Sequence, residues 1–357
     1  MSNFEANHIY PGDENIFHRR NSELRIQLPG TREGHCLMIQ DHKREEPDDS
    51  LKKNPTHRIC NVCKGALTRH FTKVRDPITN ESFTILACTK CGLGHTNPHP
   101  DDLSRYYGKH YYGSRHGVTS KFCARQRLRF LERTADKAAK RRLLDIGCGD
   151  GSFLLEAREA GWKVMGTEIN PHPARAFGLD VRHTLDHIDH AERFDCVTMW
   201  HSLEHMRDIK STLLLIARLL DPKGQLIIAV PDNGSLQAKL FGPRWLHLDV
   251  PRHLYHFDPG SLHFSLENAG FRARRSRHHE IEYDLIGWSQ SAMNYLNPTP
   301  NIFLDFLTGK GKDHSAGIRI SNVVLGSILT LAFTAALPVE ALIGRSGTFV
   351  TVACRNT

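Results

Sequence analysis

From residue 142 onward, short apolar runs alternate with amphipathic stretches. Leu143–Ile146, Lys163–Ile169, Phe194–Trp200 and Gln225–Val230 read as strands, and Ser152–Ala160, Ile209–Leu220 and Ser261–Ala269 as helices. This βαβ alternation predicts an α/β fold with a mostly parallel, doubly wound sheet. Phe271–His279 is a further strand with a basic surface (Arg272, Arg274, Arg275, Arg277), and Thr348–Cys354 the last. Nearly seventy residues separate those two, too many for a connection, so 280–346 is expected to be a helical, partly apolar insertion.

Upstream the pattern changes. Residues 1–55 are polar and aperiodic and read as a disordered leader, with Met38 as an alternative start. A compact unit is expected over 56–100 and an aromatic, basic connector over 101–141, which carries Tyr106-Tyr107, Tyr111-Tyr112 and a basic helix, Lys121–Lys140. The core then spans 142–279, resuming at 347–357 for its last strand. With 357 residues, 39% hydrophobic and 24% charged, composition is globular and allows two domains. The net charge of +8 matters only because it is clustered: twelve Lys/Arg against two acids between Arg105 and Arg142. Nine cysteines, four in two C-x-x-C pairs, fit metal binding in a reducing compartment better than disulfides. Met1 to Tyr10 does not resemble a secretory signal, so a cytoplasmic location, with membrane association as a variant, is the expectation.

The loop Leu143-Leu-Asp-Ile-Gly-Cys-Gly-Asp-Gly151 puts Asp145, Gly147, Cys148, Gly149 and Gly151 between a strand and a helix, where the backbone can approach a ligand and offer free N–H groups. Glu168 follows about twenty residues later, placed to accept both hydroxyls of a ribose. The spacing D-x-G-x-G-x-G resembles that of class I S-adenosylmethionine-dependent methyltransferases, and the resemblance continues through Phe194–Asp208 and Leu219–Pro231. It implies a Rossmann-like seven-stranded sheet. It also implies that Gly147 and Gly149 line the methionine part of the cofactor, that Glu168 holds the ribose, and that Met199, Trp200 and His201 close over it. Leu185 and Asp186 are candidates for the adenine contact.

Cys60-Asn-Val-Cys63 and Cys88-Thr-Lys-Cys91 are two knuckles separated by 24 residues, each with a glycine close behind (Gly65, Gly92). They can supply four thiolates to one tetrahedral Zn²⁺, a structural site because no coordination position stays open. The continuation to Pro100 and the paired tyrosines resemble the zinc-ribbon leader of bacterial methyltransferases that modify sugars and surface polysaccharides.

Methyl transfer to a hydroxyl or a carbon acid needs a base, and histidine suits that work. Two of the clusters formed by the 23 histidines lie near the expected site: His201-Ser-Leu-Glu-His205 after the fourth strand, and Trp245–Phe257 after the fifth. The second resembles the W…D-x-P-R-H-L-x-H-F segment of the polysaccharide-associated enzymes. His253 is the first choice for base, with Tyr255 and His256 beside it and His201, Glu204 and His205 opposite. A small-molecule or glycan acceptor, anionic enough to meet the basic stretch, is the expected partner. An RNA acceptor is the second reading, and a non-catalytic zinc-ribbon scaffold the third, which the intact Asp145–Gly151 and Glu168 oppose. Ile320–Val339 is twenty residues without a charge. A single crossing would strand the last sheet strand on the wrong side, so 320–339 is expected to be a buried or interfacial helix giving peripheral membrane contact.

Overall fold

A computed structural model describes residues 59–107, 119–135, 141–277, 280–297, 300–308 and 315–356. All belong to one unit, Leu51–Thr357. The expected leader, Tyr111-Tyr112, and Lys109, Arg115, Lys137 and Lys140 of the basic stretch lie outside the described residues.

The N-terminal strands are β1 (Leu67–Arg75), β2 (Ser82–Cys88) and β3 (Gly94–Asn97), joined as an antiparallel meander. Helix α1 (Ser120–Thr134) leads into β4 (Arg142–Ile146), α2 (Ser152–Glu159), β5 (Lys163–Thr167), the single-turn α3 (His172–Arg175) and β6 (Val181–Arg182). Then come β7 (Phe194–Trp200), α4 (Ile209–Leu219), β8 (Leu220–Pro231), α5 (Leu236–Phe241), the two-residue β9 (Tyr255–His256), α6 (Pro259–Asn268) and β10 (Phe271–Arg277). Helices α7 (Ile281–Leu296), α8 (Ile302–Leu307), α9 (Ala316–Phe333) and α10 (Ala336–Ile343) precede the final strand β11 (Thr348–Arg355).

The large sheet has seven strands in the order β10-β11-β8-β7-β4-β5-β6. Its β8-β7-β4-β5-β6 portion is parallel, and β11 enters antiparallel between β8 and β10. This is the mostly parallel, doubly wound sheet that the alternating pattern led us to expect, with the seven strands that the resemblance implied. The central strands read as apolar runs because both faces are covered: Leu143, Leu144, Val197, Ile227 and Ile228 are all fully buried. Side-chain caps fix two of the helices. Asp208 accepts from the Ser211 N–H at the start of α4, and Asp258 forms a reciprocal capping box with Ser261 at α6.

The second sheet has the order β1-β2-β3-β9, so its fourth strand comes from the loop that follows β8 of the large sheet. Gly94 pairs with His256 and His95 with Tyr255, about 160 residues apart in sequence. Gly94 permits this approach, since a Cβ there would lie 2.8 Å from the His256 Cβ. The cysteine module is thereby joined directly to the loop that follows β8.

The uncharged stretch forms two helices rather than one, breaking at Thr334 and Ala335. Gly326 of α9 lies against the Phe303 ring, and Asn322 accepts from the Asn297 amide, so one face packs on α7 and α8. Ile320, Val324, Ile328 and Leu331 on the opposite face are exposed. Helix α9 is long and apolar enough to cross a membrane by length and composition, with a mean hydropathy of 1.6 and only 11% of it buried.

Candidate active site and cysteine centre

The cofactor cleft is built at the carboxyl edge of β4 and β5. Gly147, Gly149 and Gly151 all have positive φ, at 77°, 57° and 81°. A Cβ on Gly147 would meet the Ser202 Cβ at 2.7 Å and one on Gly151 the Leu179 side chain at 2.5 Å, whereas Gly149 faces open space. The glycine-loop spacing therefore serves two close approaches and one cradle toward the cleft.

Asp145, Gly147, Cys148, Gly149, Glu168, Trp200 and His201 line this cleft, joined by Arg127 and Tyr283. The Glu168 carboxylate accepts from the Gly149 N–H at 2.9 Å and from the Ile169 N–H at 2.9 Å. The cleft encloses about 60 Å³ in this arrangement. Burial pushes the Asp145 carboxyl up to about 6, opposed by its 2.6 Å bond from the Thr198 hydroxyl. The buried Cys148 thiol is likewise held protonated.

Two expected cofactor contacts lie elsewhere. Met199 is fully buried in the core with Leu144 and Val197, because strand side chains alternate and Cys196, Thr198 and Trp200 lie on the other face of β7. Leu185 sits in a short 3₁₀ turn and packs against the same core instead of lining the cleft. Arg127 and Tyr283 escaped the sequence reading. Arg127 sat in a run of twelve basic residues, yet it is the one whose guanidinium stacks over Trp200, 5.3 Å from the ring centre, and lines the cleft.

A second, larger cavity of about 980 Å³ adjoins the cleft, with His201 and Tyr283 in both walls. His201 closes β7 in the left-handed region, φ 51°, and its ring stacks on Tyr283 at 4.0 Å. Its Nε2 bonds the Glu280 carboxylate at 2.8 Å. Burial alone would raise the Glu280 carboxyl, but His201 and Arg127 carry it below the usual range.

The polar end of the cavity holds Glu204, His205, Asp249 and His253. His253 donates from Nδ1 to the His247 carbonyl at 2.9 Å, and His205 from Nδ1 to the Arg252 carbonyl at 2.9 Å. Glu204 Oε1 lies 3.9 Å and Asp249 Oδ2 3.8 Å from His253 Nε2. Arg252 is almost fully buried and holds the loop in place, donating to Asp76 Oδ1 and the Tyr106 carbonyl at 2.8 Å each and to Asp249 Oδ1 at 2.7 Å. An Arg252→Met protein is expected to lose about 3–5 kcal/mol, because the buried Asp76 charge remains without its partner. Thermal melting checks this; an unchanged midpoint would remove the ion pair from the loop's support.

Tyr255 and His256 do not join this cluster. The Tyr255 hydroxyl bonds the Arg207 carbonyl at 2.9 Å and the Asn61 amide, and His256 Nε2 bonds the Thr96 hydroxyl at 2.9 Å. Burial drives the His256 ring well below its ordinary range. Both residues are strand β9, and they fasten the loop to the cysteine module. Thr96 also donates to the His253 carbonyl at 2.6 Å, so β3 touches the candidate base's own backbone.

The four cysteines converge with all sulfurs within 4.8 Å of one another. Cys63 and Cys88 are 3.3 Å apart and Cys60 and Cys91 3.8 Å, close to the ~3.8 Å between sulfurs of a tetrahedral Zn–thiolate centre. The Gly65 N–H donates to Cys63 Sγ and the Lys90 N–H to Cys88 Sγ, both at 3.4 Å. A Cβ at Gly65 would sit 2.9 Å from Cys88 Sγ, so glycine is required beside the sulfurs. The donor set fits one zinc ion.

Much of the described basic stretch is used within the protein. Arg105 pairs with Glu81, Arg125 with Glu156, Arg141 with Glu132 and Arg142 with Glu192.

Comparison with known proteins bears on the same residues. Residues 115–276 match the family model described as a methyltransferase domain. A ubiquinone biosynthesis O-methyltransferase of Aromatoleum aromaticum is 32% identical over 127 residues, covering 32% of this chain and 53% of that protein. The corresponding Bordetella avium protein is 28% identical over 196 residues, covering 48% of this chain and 80% of its own length. The chain thus spans little more than half of the first of these relatives. Among solved structures, a SAM-dependent methyltransferase from Archaeoglobus fulgidus is 20% identical with a TM-score of 0.42, covering 71% of this chain and 99% of that one. Magnesium protoporphyrin IX methyltransferase from Synechocystis, solved with SAH, is 17% identical with a TM-score of 0.38, covering 46% and 80%. Residues 115–276 are thus similar to a methyltransferase domain.

Proposed function

We propose that the protein transfers a methyl group from S-adenosylmethionine to a hydroxyl-bearing head group of an acceptor with an apolar body, a lipid-linked sugar or polysaccharide intermediate in the reading the sequence favours. The observation that carries this is the large cavity. One end presents Glu204, His205 and His253, while its other walls include Leu246, Ile286, Phe303 and Leu304. An apolar chamber fits an acyl or prenyl chain better than RNA, whose recognition calls for cationic grooves and stacked aromatics. The names of the relatives support a second reading, a quinol-type acceptor with a similar polar head and apolar tail.

S-adenosylmethionine supplies an electrophilic methyl group when bound. Gly147 and Gly149 would leave the backbone open to it and Glu168 would accept from its ribose hydroxyls, while Arg127 and Asp145 line the same cleft. His201 and Tyr283 form the partition between cleft and cavity. The acceptor's proton leaves at His253, whose Nδ1 is committed to a carbonyl, so that Nε2 carries the lone pair. The four thiolates hold a structural zinc that keeps β3 under the loop. Exposed Ile320, Val324, Ile328 and Leu331 of α9 rest on a membrane surface, placing the cavity where a lipid-linked acceptor resides.

Activity assays with a lipid-linked sugar in vesicles, the matching soluble nucleotide sugar and a prenylated quinol decide between acceptors. Methylation of the soluble sugar alone would remove the lipid from the reading. Glu168→Ala is expected to weaken S-adenosylmethionine binding by roughly 30- to 150-fold in calorimetry, the equivalent of two charge-assisted hydrogen bonds at about 2–3 kcal/mol. Equal affinity in both proteins would take Glu168 out of the site.

A further inference from the structure

We infer that Glu204, His205 and His253 form a binding site for one divalent cation, with Asp249 within reach, at the polar end of the cavity. The proposal deepens the methyltransferase reading and rests on it for its role, but not for its chemistry. One ligand atom from each of the three residues lies within 4.8 Å of the others, and two of the three residues are buried.

The tautomers make the case. A carbonyl oxygen only accepts, so each Nδ1 that bonds one must carry the proton. Nε2 is then the lone-pair nitrogen in both neutral rings, and the two rings meet edge to face with centres 4.7 Å apart. A histidine whose far nitrogen is anchored on a backbone carbonyl is the usual arrangement of a metal ligand.

The spacing agrees. His253 Nε2 stands 3.9 Å from Glu204 Oε1 and 3.8 Å from Asp249 Oδ2, too far for hydrogen bonds. A hydrogen-bonded imidazole–carboxylate pair closes to roughly 2.7–2.9 Å, as His201 Nε2 and the Glu280 carboxylate do at 2.8 Å. Two atoms that share one ion with bonds of about 2.0–2.2 Å in tetrahedral geometry lie roughly 3.3–3.6 Å apart, so these side chains would close by a few tenths of an ångström on binding it. Imidazole and carboxylate suit Zn²⁺, Mn²⁺ or Fe²⁺, whereas the four thiolates select zinc, so the two centres differ in kind. A cation here would face the cavity, where an acceptor hydroxyl could complete its coordination and be acidified, its proton then passing to solvent water rather than to the coordinated His253 ring.

The test uses the full chain with its thiolate centre loaded with zinc. The protein is dialysed against Mn²⁺ or against excess Zn²⁺, and its bound metal is measured. Titration of Mn²⁺ followed by electron paramagnetic resonance gives the affinity. One further metal atom per chain is expected in the wild type, with binding weakened at least 100-fold in Glu204→Gln and in His253→Gln, roughly beyond what outer-shell changes cost. Calorimetry with S-adenosylmethionine on the same samples shows that the variants remain folded. It also separates the two failures: cofactor binding without a second metal overturns the cation site and leaves His253 as the direct base, while a second metal without cofactor binding overturns the methyltransferase reading. Variants that bind Mn²⁺ as tightly as the wild type would likewise overturn the assignment.

Discussion

Replacing Cys88 by serine is expected to empty the thiolate centre and abolish methyl transfer, although no cysteine of that centre touches the cofactor cleft. Structural zinc centres supply on the order of 10–16 kcal/mol to small modules, more than a meander of three short strands can replace. The loss would pass to the site along a short route. Cys88 ends β2, β2 pairs with β3, and β3 holds the His253 carbonyl through Thr96 and the loop backbone through Tyr255 and His256. Metal analysis should show one zinc fewer per chain, and kcat should fall by at least 100-fold, roughly the loss expected when a positioned proton acceptor is displaced. S-adenosylmethionine affinity should change little, because the cleft belongs to the other sheet. Full zinc content in the variant would refute the assignment.

His253→Ala is expected to lower kcat by about 10²–10⁴-fold with cofactor affinity nearly unchanged. The prediction holds whether the ring takes the proton itself or holds a cation that acidifies the acceptor hydroxyl, since both need Nε2 at the cavity's polar end. Stopped-flow or steady-state kinetics with the acceptor identified above would measure it. If the loss appeared only in KM, His253 would be a packing residue, and attention would move to His201 or His205.

Much of the fold was legible because its strongest signals are local. Phe194–Trp200 is a strand over the span its apolar run suggested, and the glycines between Ile146 and Ser152 adopt the backbone their spacing implied. Side-chain facing was less legible. Met199 and Trp200 are neighbours in sequence and opposites in space, and His253, Tyr255 and His256 stand within four residues yet serve a cavity in one case and a sheet edge in the others. A dense histidine segment does not announce which rings are committed to structure. Long-range partners were hidden altogether: Glu280 meets His201 across 79 residues, and Asp76 meets Arg252 across 176. Neither carries a motif, since each is an isolated acid whose meaning comes from the fold.

The β3–β9 pairing also bears on how this molecule can be taken apart or recombined. Cut before α1, the cysteine module would present β3 as a bare edge, its unpaired N–H and C=O groups open to any extended chain. The remaining portion would keep Tyr255 and His256 as a strand with no sheet to join. A chimera that imports a foreign cysteine module must therefore import residues 245–257 as well, because Tyr255 and His256 complete its sheet. Acceptor preference, if it resides in those two segments, can be exchanged between relatives without altering a residue of the glycine loop.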